Sequence, residues 1–483
     1  MPNLGAIDTP VEQIPQPVRA DDNGGNSIRR NTVYAVLGNG FLNLSRLAVL
    51  VLMAKAAGRY EELGAEIQGI YTFTLTALAS PIILFCSLEL RTAFVADTHS
   101  EFTYGTYQAL RNVGLFVAAV AMFAVVLFQN RADLYLPLVW LMLAACAGKL
   151  VFQTAEVCWG VFQRRERLGL MAISNTIRGV LILFPFVVAY RWLPAFGVVD
   201  LAGADEAQMR PLLLKLTAGA VTAYALAWTA VWWFFERRLV MKPGDVNLSW
   251  NWPAVGRLAK KTLPLGLVFL LIHLADTVTQ GFIKKAGADS GWADVGYFGT
   301  MKYITLVTMF IVVQVNTAAG NRLAIAYRTD LRAFLRIGLK VTGIALGIGF
   351  AFIGAVFFHG EWFLRIVYSP EHAKHYPEFM ILIVAQSVTL LAAVFGTVTT
   401  YMRQFWIQVP VHLAVLLATT LAAWWFIRPE NPVHGGAITD LIRSSVQAAL
   451  YLGCVLIGIR FRNRLATQKI TTVAKITGAE PDA

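Results

Sequence analysis

Charged residues are scarce in this sequence. They make up 14% of its 483 residues, against roughly 25% in an ordinary soluble domain, while 57% of the residues are apolar. A soluble chain of this length would divide into two or three domains joined by polar linkers. Here, apolar runs of about twenty residues recur almost from end to end. The shortage of charge excludes a conventional water-soluble fold and predicts an all-α polytopic membrane protein.

Cysteines and nucleotide-binding signatures are also scarce. The four cysteines lie within apolar runs at no paired spacing, which argues against a disulfide framework or a zinc site. No GxxxxGK[ST] sequence occurs, so we expect no ATP hydrolysis by this chain. The polar residues 1–30 have no apolar core and predict a disordered cytoplasmic tail instead of a signal peptide. We expect no enzyme activity, no resident cofactor and no nucleic-acid partner.

The apolar runs predict about twelve membrane spans. They cover roughly 32–56, 66–89, 108–128, 134–158, 168–190, 212–235, 262–283, 295–320, 334–358, 376–400, 406–427 and 440–460. The net charge is +12, and Lys and Arg concentrate in the N-terminal segment, the even-numbered loops and the C-terminal tail. By the positive-inside rule, this distribution places both termini in the cytoplasm.

A long basic loop near the middle of the chain predicts two halves. We place a six-helix lobe at 31–236, a basic cytoplasmic linker at 237–261, a second six-helix lobe at 262–460 and a basic cytoplasmic tail at 461–483. Tyr71 in GIYTFTLTAL and Tyr297 in VGYFGTMKYI come early in the second span of each half. With an even number of spans per half, the copies share one orientation, as in parallel-repeat transporters.

Polar side chains within the spans of the first half point to a functional cavity. A charged residue at bilayer depth costs about 2.5–3.5 kcal/mol on insertion scales, so it normally faces a partner or a water-filled space. Asn39, Asn43 and Arg46 share one face of the first span. Further candidates in this half are Lys149, Gln153 and Glu156 at the same spacing in the fourth span, and Ser174, Asn175 and Arg178 in the fifth.

The second half offers a different set. His273, Asp276 and Gln280 share one face of the seventh span, and Lys302 lies in the eighth. A carboxylate beside a histidine inside a membrane suits a proton or a sodium ion. Each of these residues could instead have a purely structural role. Asp276 and Lys302, for example, could form an ion pair that only holds two helices together.

The balance of these side chains favours an anionic substrate. Fixed cations outnumber acids, and guanidinium and ammonium groups suit phosphate oxygens well. Outside the spans, Glu371, His372 and His375 form a cluster that could bind a metal. We interpret this cluster as a solvated polar loop and predict no metal site.

Two segments of the sequence resemble a known family of membrane transporters. The sequence QGIYTFTLTALASPIILFCSLELRTAFVADTHSEFTYGTYQALR (68–111) and the sequence WGVFQRRERLGLMAISNTIRGVL (159–181) resemble the polysaccharide transporters, the O-antigen or lipopolysaccharide flippases. This family is a branch of the multidrug/oligosaccharidyl-lipid/polysaccharide exporter superfamily. The pattern and the number of spans agree with it over about 30–460.

The resemblance implies two six-helix lobes around a central cavity that opens alternately to the two sides of a bacterial inner membrane. It implies as substrate a polyprenyl-diphosphate-linked glycan, flipped between leaflets for lipopolysaccharide or exopolysaccharide biosynthesis, with other assembly proteins as partners. By role, Arg46, Arg178 and Lys302 would contact the diphosphate or head group, with Asn39, Asn43 and Lys149 beside them. Asp276, His273 and Glu156 would couple transport to H+ or Na+.

Two other functions stay open at the level of sequence. One is an ion-coupled drug or metabolite antiporter of the same superfamily, which the cationic lumen disfavours. The other is a non-transporting membrane scaffold for glycan assembly, which would not need charges in the middle of its spans. A polymerase or ligase acting on a lipid carrier would normally carry a large external loop, and the predicted loops on that side are short.

Overall fold

The chain folds into helices that match the predicted spans in number. The computed structural model describes residues 24–58, 60–97, 101–131, 134–164, 168–195, 197, 205–236, 251–402 and 406–477, and all regular structure within these ranges is helical. Twelve segments are long and apolar enough to cross a bilayer, and we number them as spans 1 to 12. They are Leu37–Ala56, Glu61–Val95, Tyr104–Gln129, Leu136–Gln163, Gly169–Ala195, Ala207–Phe234, Trp252–Ala286, Gly291–Val313, Leu331–Val367, Tyr376–Tyr401, Gln408–Phe426 and Pro432–Arg460.

The helices of the first half are interrupted within several spans. Their bounds are Gly24–Ala56, Glu61–Phe73, Ser80–Ser87, Leu90–Ala96, Tyr104–Gln129, Leu136–Thr154, Glu156–Arg164, Leu168–Val187, Leu193–Ala195 and Glu206–Val231, with π-helical segments at Thr74–Ala79, Val188–Trp192 and Trp232–Glu236. Span 2 breaks where Leu88 and Glu89 adopt left-handed conformations, with φ of 50° and 49°. Span 4 breaks at Ala155, so it is not the continuous helix that the sequence predicted.

The helices of the second half are longer and mostly unbroken. They are Trp252–Ala286, Gly291–Thr329, Leu331–Val367, Pro370–Lys374, Tyr376–Tyr401, Gln408–Phe426 and Pro432–Thr477, with a 3₁₀ turn at Ala288–Ser290. Several exceed the roughly 20 residues that cross a bilayer, so they project beyond it. The helices extend the lobes into segments predicted as tail or linker, because they begin at Gly24 and Trp252 and end at Thr477. The rest of the predicted linker, residues 237–250, lies outside the described residues.

The two lobes meet along span 2, which packs against spans 7 and 8. Gly69 of span 2 and Gly296 of span 8 bring the two backbones into contact. A β-carbon on Gly69 would lie 1.8 Å from the carbonyl oxygen of Trp292, and one on Gly296 would lie 1.9 Å from that of Ala65. These glycines lie beside Tyr71 and Tyr297. Spans 2 and 8, which the sequence analysis identified as equivalent spans of the two halves, therefore pack on each other.

The outward faces of the spans carry large apolar side chains, as a lipid environment requires. Tryptophans mark the ends of many spans, where membrane proteins place amphipathic rings at the membrane–water interface. The exposed ones are Trp140, Trp192, Trp233, Trp252, Trp362, Trp406, Trp424 and Trp425.

Candidate functional site

A cavity of about 120 Å³ is enclosed mostly by the first lobe, with Tyr303 of span 8 contributed by the second lobe. Its apolar lining comes from spans 1, 2, 4, 5 and 6 of the first lobe. The polar and aromatic lining residues are Arg46, Tyr71, Thr72, Thr76, Lys149, Phe152 and Tyr224 from the first lobe and Tyr303 from span 8. No acidic side chain is among the described residues that line it. The cavity therefore presents two cations among aromatic rings and hydroxyl groups.

Arg46 lies at the junction of the lobes. Its guanidinium carbon is 4.8 Å from the centre of the Phe152 ring, and the guanidinium interacts with the hydroxyl of Tyr303 in the opposite lobe. Lys149 follows on span 4, one turn from Phe152, and faces the same space. The two cavity cations predicted from sequence are thus brought together.

Arg178 lies behind the cavity wall instead of in the cavity. Its side chain is fully buried, with its guanidinium carbon 3.7 Å from the Trp228 ring centre, 4.0 Å from that of Trp159 and 4.4 Å from that of Phe152. Phe152 therefore separates Arg178 from the cavity while it also contacts Arg46. Arg178 is not among the residues that line the cavity in this conformation, and its contact with the substrate stays a prediction.

Asn39 joins span 1 to span 5. The side-chain nitrogen of Asn175 donates to its oxygen over 2.5 Å, and the neighbouring Gly38 packs directly on the backbone of Ala172. Asn43 lies half-buried one turn closer to Arg46. Asn39 therefore holds helices together in this conformation, whereas a substrate role for Asn43 stays a prediction.

Glu156 forms an ion pair with Arg111. Arg111 is fully buried on span 3, and its guanidinium also donates to the carbonyl oxygen of Gln153 over 2.7 Å. That carbonyl lies at the C-terminal end of the helix Leu136–Thr154, where it also accepts from the backbone nitrogen of Ala155. The break also ends the shared face predicted for Lys149, Gln153 and Glu156. In this conformation Glu156 pairs with Arg111 beside the break, and its role in ion coupling stays a prediction.

The second lobe contains a network of four charges at the junction of spans 7, 8 and 12. Lys302 Nζ lies 2.6 Å from Asp276 Oδ1 and 2.9 Å from Asp440 Oδ1. Arg443 contacts the same two oxygens, at 2.5 Å and 2.8 Å. His273 stands at its edge, 3.9 Å from Asp276. Two acids balance two bases, so Lys302 is engaged by aspartates instead of free for a phosphate.

Sequence reasoning missed Asp440, Arg443 and Arg111. The last span was predicted to begin at residue 440, which left Asp440 and Arg443 at its edge. The helix begins at Pro432 and carries them about two turns inside. An acid and a base three residues apart in an apolar run was the available signal. Arg111 lies within the predicted third span, 108–128, and was not proposed as a site residue.

The two sites are linked through span 2. Thr76 lines the cavity, and its hydroxyl accepts a 2.9 Å hydrogen bond from the side-chain nitrogen of Gln280 in span 7. Thr277 donates to the carbonyl oxygen of Ala77 over 2.6 Å. Thr76 and Ala77 belong to the π-helical segment Thr74–Ala79, a geometry that occurs frequently at functional sites.

The loop cluster predicted to be solvated is partly buried. His372 is 1% exposed, and its ring contacts residues of both lobes, so it is not a solvated loop residue. The burial of His372 could not be predicted from the sequence, because the residues that cover it come from spans 2 and 8, which are distant along the chain.

Comparison with known proteins gives one curated relative. No protein-family model matches the chain. The capsular polysaccharide biosynthesis protein CapF of Staphylococcus aureus is 22% identical over 430 residues, which cover 87% of this chain and 98% of the relative.

Solved structures match over almost the whole chain. An outward-facing multidrug resistance MATE family transporter of the MOP superfamily aligns with a TM-score of 0.59 at 16% identity, covering 92% of this chain and 96% of that one. The chain has the MATE-type transporter fold. An inward-facing transporter of that description aligns with a TM-score of 0.58 at 15% identity, covering 90% and 99%. A MOP superfamily transporter from Pyrococcus furiosus, described as having a binding pocket of reverse polarity, aligns with a TM-score of 0.58 at 15% identity, covering 92% and 96%.

The MATE-type fold confirms the predicted twelve spans in two six-helix lobes around a central cavity. The CapF match fits the polysaccharide transporters of this superfamily, which is the resemblance that the sequence carries.

Proposed function

We propose that this protein is a transporter that moves a polyprenyl-diphosphate-linked glycan from the cytoplasmic to the outer leaflet of a bacterial inner membrane, with both termini cytoplasmic. The glycan would serve the assembly of a surface polysaccharide such as lipopolysaccharide or exopolysaccharide. The observation that carries the proposal is the pairing of Arg46 and Lys149 in an interlobe cavity without a described acidic lining residue.

The chemistry of the cavity suits this substrate in two ways. Guanidinium and ammonium groups bind diphosphate oxygens through charge-assisted hydrogen bonds, which are about twice as strong as neutral ones. The aromatic rings and threonine hydroxyls offer stacking surfaces and hydrogen bonds to a sugar. The polyprenyl tail needs no cavity, since it can stay in the bilayer.

The size of the cavity argues that the lobes must move. Ligand pockets usually measure about 300–1,000 Å³. A cavity of about 120 Å³ holds only a few water molecules, so the head group enters only when the lobes separate on one side. The name of the relative CapF supports a glycan substrate.

The four-charge network is our proposed coupling site. A proton or sodium ion that binds Asp276 or Asp440 must displace Lys302 or Arg443, which would loosen the contact between spans 7, 8 and 12. Glu156, which pairs with Arg111, is a separate prediction and is not needed for this proposal.

The test is flipping of a fluorescent polyprenyl-diphosphate sugar in proteoliposomes. We expect wild type to flip it, and Arg46→Ala and Lys149→Ala to flip it at least tenfold more slowly at equal reconstituted protein. Arg428→Ala is the matched control, since Arg428 is an exposed cation in the hairpin between spans 11 and 12. Normal flipping by both cavity variants would overturn the role of the cations.

A second candidate is a drug or metabolite antiporter, favoured by solved neighbours that are described as multidrug transporters. Uptake of a cationic dye driven by a proton or sodium gradient, in vesicles that do not flip the lipid, would support it. Absence of both activities in folded wild type would favour the scaffold.

A further inference from the structure

The lobes are joined around a buried histidine on the membrane face that carries the odd-numbered loops. His372 lies in the loop between spans 9 and 10, and its Nε2 is 3.2 Å from the side-chain oxygen of Gln68 in span 2. On the same face, Lys55 Nζ donates to the carbonyl oxygen of Ile366 over 2.8 Å, and the backbone nitrogen of Glu371 donates to Glu61 over 3.2 Å. These contacts join the lobes on that face, and we call them the interlobe latch.

The hydrogen bonds of the latch suit a neutral His372. Gln68 is fully buried, and its side-chain nitrogen donates to the carbonyl oxygen of Leu50 over 2.6 Å, so its oxygen faces His372. His372 Nε2 must then be the donor to that oxygen. Its Nδ1 is 3.0 Å from the hydroxyl of Ser369, which can donate to an unprotonated nitrogen. This arrangement satisfies a neutral imidazole with one proton.

The surroundings of His372 oppose a positive charge. Tyr368 stacks on its ring at 5.0 Å between ring centres, and Tyr297 meets it edge-on at 4.8 Å. Burial, and then the charge of His375, lower the pKa of His372 to about 3. The titratable and charged groups around it come from every neighbouring element: Glu61 and Glu62 of span 2, Asp294 of span 8, Glu371, Lys374 and His375 of the loop, and Glu378 of span 10.

We propose that His372 makes the interlobe latch sensitive to the pH of the outer compartment, so that a proton bound to its ring holds the lobes apart. The inference rests on the lobe movement of the proposed transport cycle, but it is independent of the substrate. It assigns a role to a residue that belongs neither to the cavity nor to the four-charge network.

The direction of the effect follows from linkage. With the lobes apart, water reaches His372, and an accessible histidine has a pKa near 6.5. Above that pH the ring is neutral in both states and the latch is unaffected. Below it, the separated state gains a proton that the closed state excludes, so the ratio of closed to separated molecules falls about tenfold per pH unit until the pKa of the closed state is reached.

The experiment measures the distance between the lobes in the full-length protein in nanodiscs, without substrate. Spin labels are placed at Gln208→Cys and Glu430→Cys, two exposed positions on this face in opposite lobes, in a Cys86→Ser background because the other three cysteines are buried. Between pH 7.5 and pH 5.5 we expect the separated fraction of wild type to rise about tenfold relative to the closed one. His372→Gln should abolish this rise, since its amide can donate to Gln68 but cannot titrate. His375→Gln, the matched control, should keep it.

A pH response that persists in His372→Gln, or a wild type whose distances do not change, would overturn the proposal. If His372→Gln fails to fold, hydrogen exchange at the histidine ring carbons of wild type decides. A titration of His372 that follows lobe separation supports the proposal, and one near pH 6.5 in molecules whose lobes stay closed refutes it. Since no lipid-linked sugar is present, either result leaves the proposed substrate untouched.

Discussion

Arg46 and Lys149 in the first lobe face a cavity without a described acidic lining residue, whereas Lys302 and Arg443 in the second lobe each contact two aspartates. Both pairs lie at bilayer depth, where an isolated charge is costly. The second lobe meets that cost with opposite charges from its own helices. The first lobe meets it with aromatic rings and space, which leaves hydrogen-bond donors for a ligand. The depth of a cation in the membrane therefore does not show whether it binds a ligand or holds helices together. The presence or absence of a nearby carboxylate is the better indicator.

The largest expected effect comes from breaking the balance in the second lobe. Asp276→Ala leaves Lys302 and Arg443 with one shared carboxylate, and removing one partner of a buried ion pair typically costs about 3–5 kcal/mol. We expect a markedly lower melting temperature in detergent. Asp276→Asn with Arg443→Met, which removes one charge of each sign, should recover part of the loss. Equal destabilisation by the single and double variants would contradict a balanced network.

The next effect comes from removing a cavity cation. Arg46→Ala should weaken diphosphate binding about 10- to 100-fold, because a hydrogen bond to a charged group contributes about 1.5–3 kcal/mol. Its melting temperature should change little in the absence of ligand. Titration of the purified protein with a short-chain prenyl diphosphate measures the affinity. Unchanged affinity together with a large drop in melting temperature would make Arg46 a structural residue like Lys302.

A smaller effect is expected at Arg178, whose surroundings resemble neither of the other sites. Arg178→Met should lower the free energy of unfolding by about 2 kcal/mol through loss of its contacts with three aromatic rings. Diphosphate affinity should fall less than in Arg46→Ala, since Phe152 lies between Arg178 and the cavity. Chemical unfolding followed by tryptophan fluorescence reports the change, because Trp159 and Trp228 enclose the guanidinium. A drop in affinity as large as that of Arg46→Ala would place Arg178 in the cavity.

The smallest effect is expected at the polar contact between spans 1 and 5. Asn175→Ala removes one hydrogen bond to Asn39 and should cost about 0.5–1.5 kcal/mol of stability. Flipping should stay close to that of wild type. Asn43→Ala is the comparison, since Asn43 is half-buried near Arg46, and a loss of flipping there with unchanged stability would separate a binding asparagine from a packing one.

Hydropathy and residue spacing predicted the part of the molecule that depends on local sequence. The twelve spans follow from apolar length, and the positions of Arg46 and Lys149 follow from the cost of charge in a membrane. The partners of those charges could not be predicted. The pairing of Asp276 with Arg443 depends on how spans 7 and 12 meet, and the exclusion of Arg178 from the cavity depends on a ring from another span. The burial of His372 could not be predicted for the same reason. Its loop is buried because residues of the other lobe cover it.

The last helix is long enough to act as a lever across the membrane. Pro432–Thr477 has 46 residues and is therefore about 70 Å long, more than twice the thickness of the hydrocarbon core. Asp440 and Arg443 lie near one end, so a tilt of the helix with this point as pivot would move a long arm that reaches past the opposite membrane surface. A tilt of about 10° at the pivot would displace the far end by roughly 9 Å. A small change of angle at the network would thus become a large displacement on the other side of the membrane.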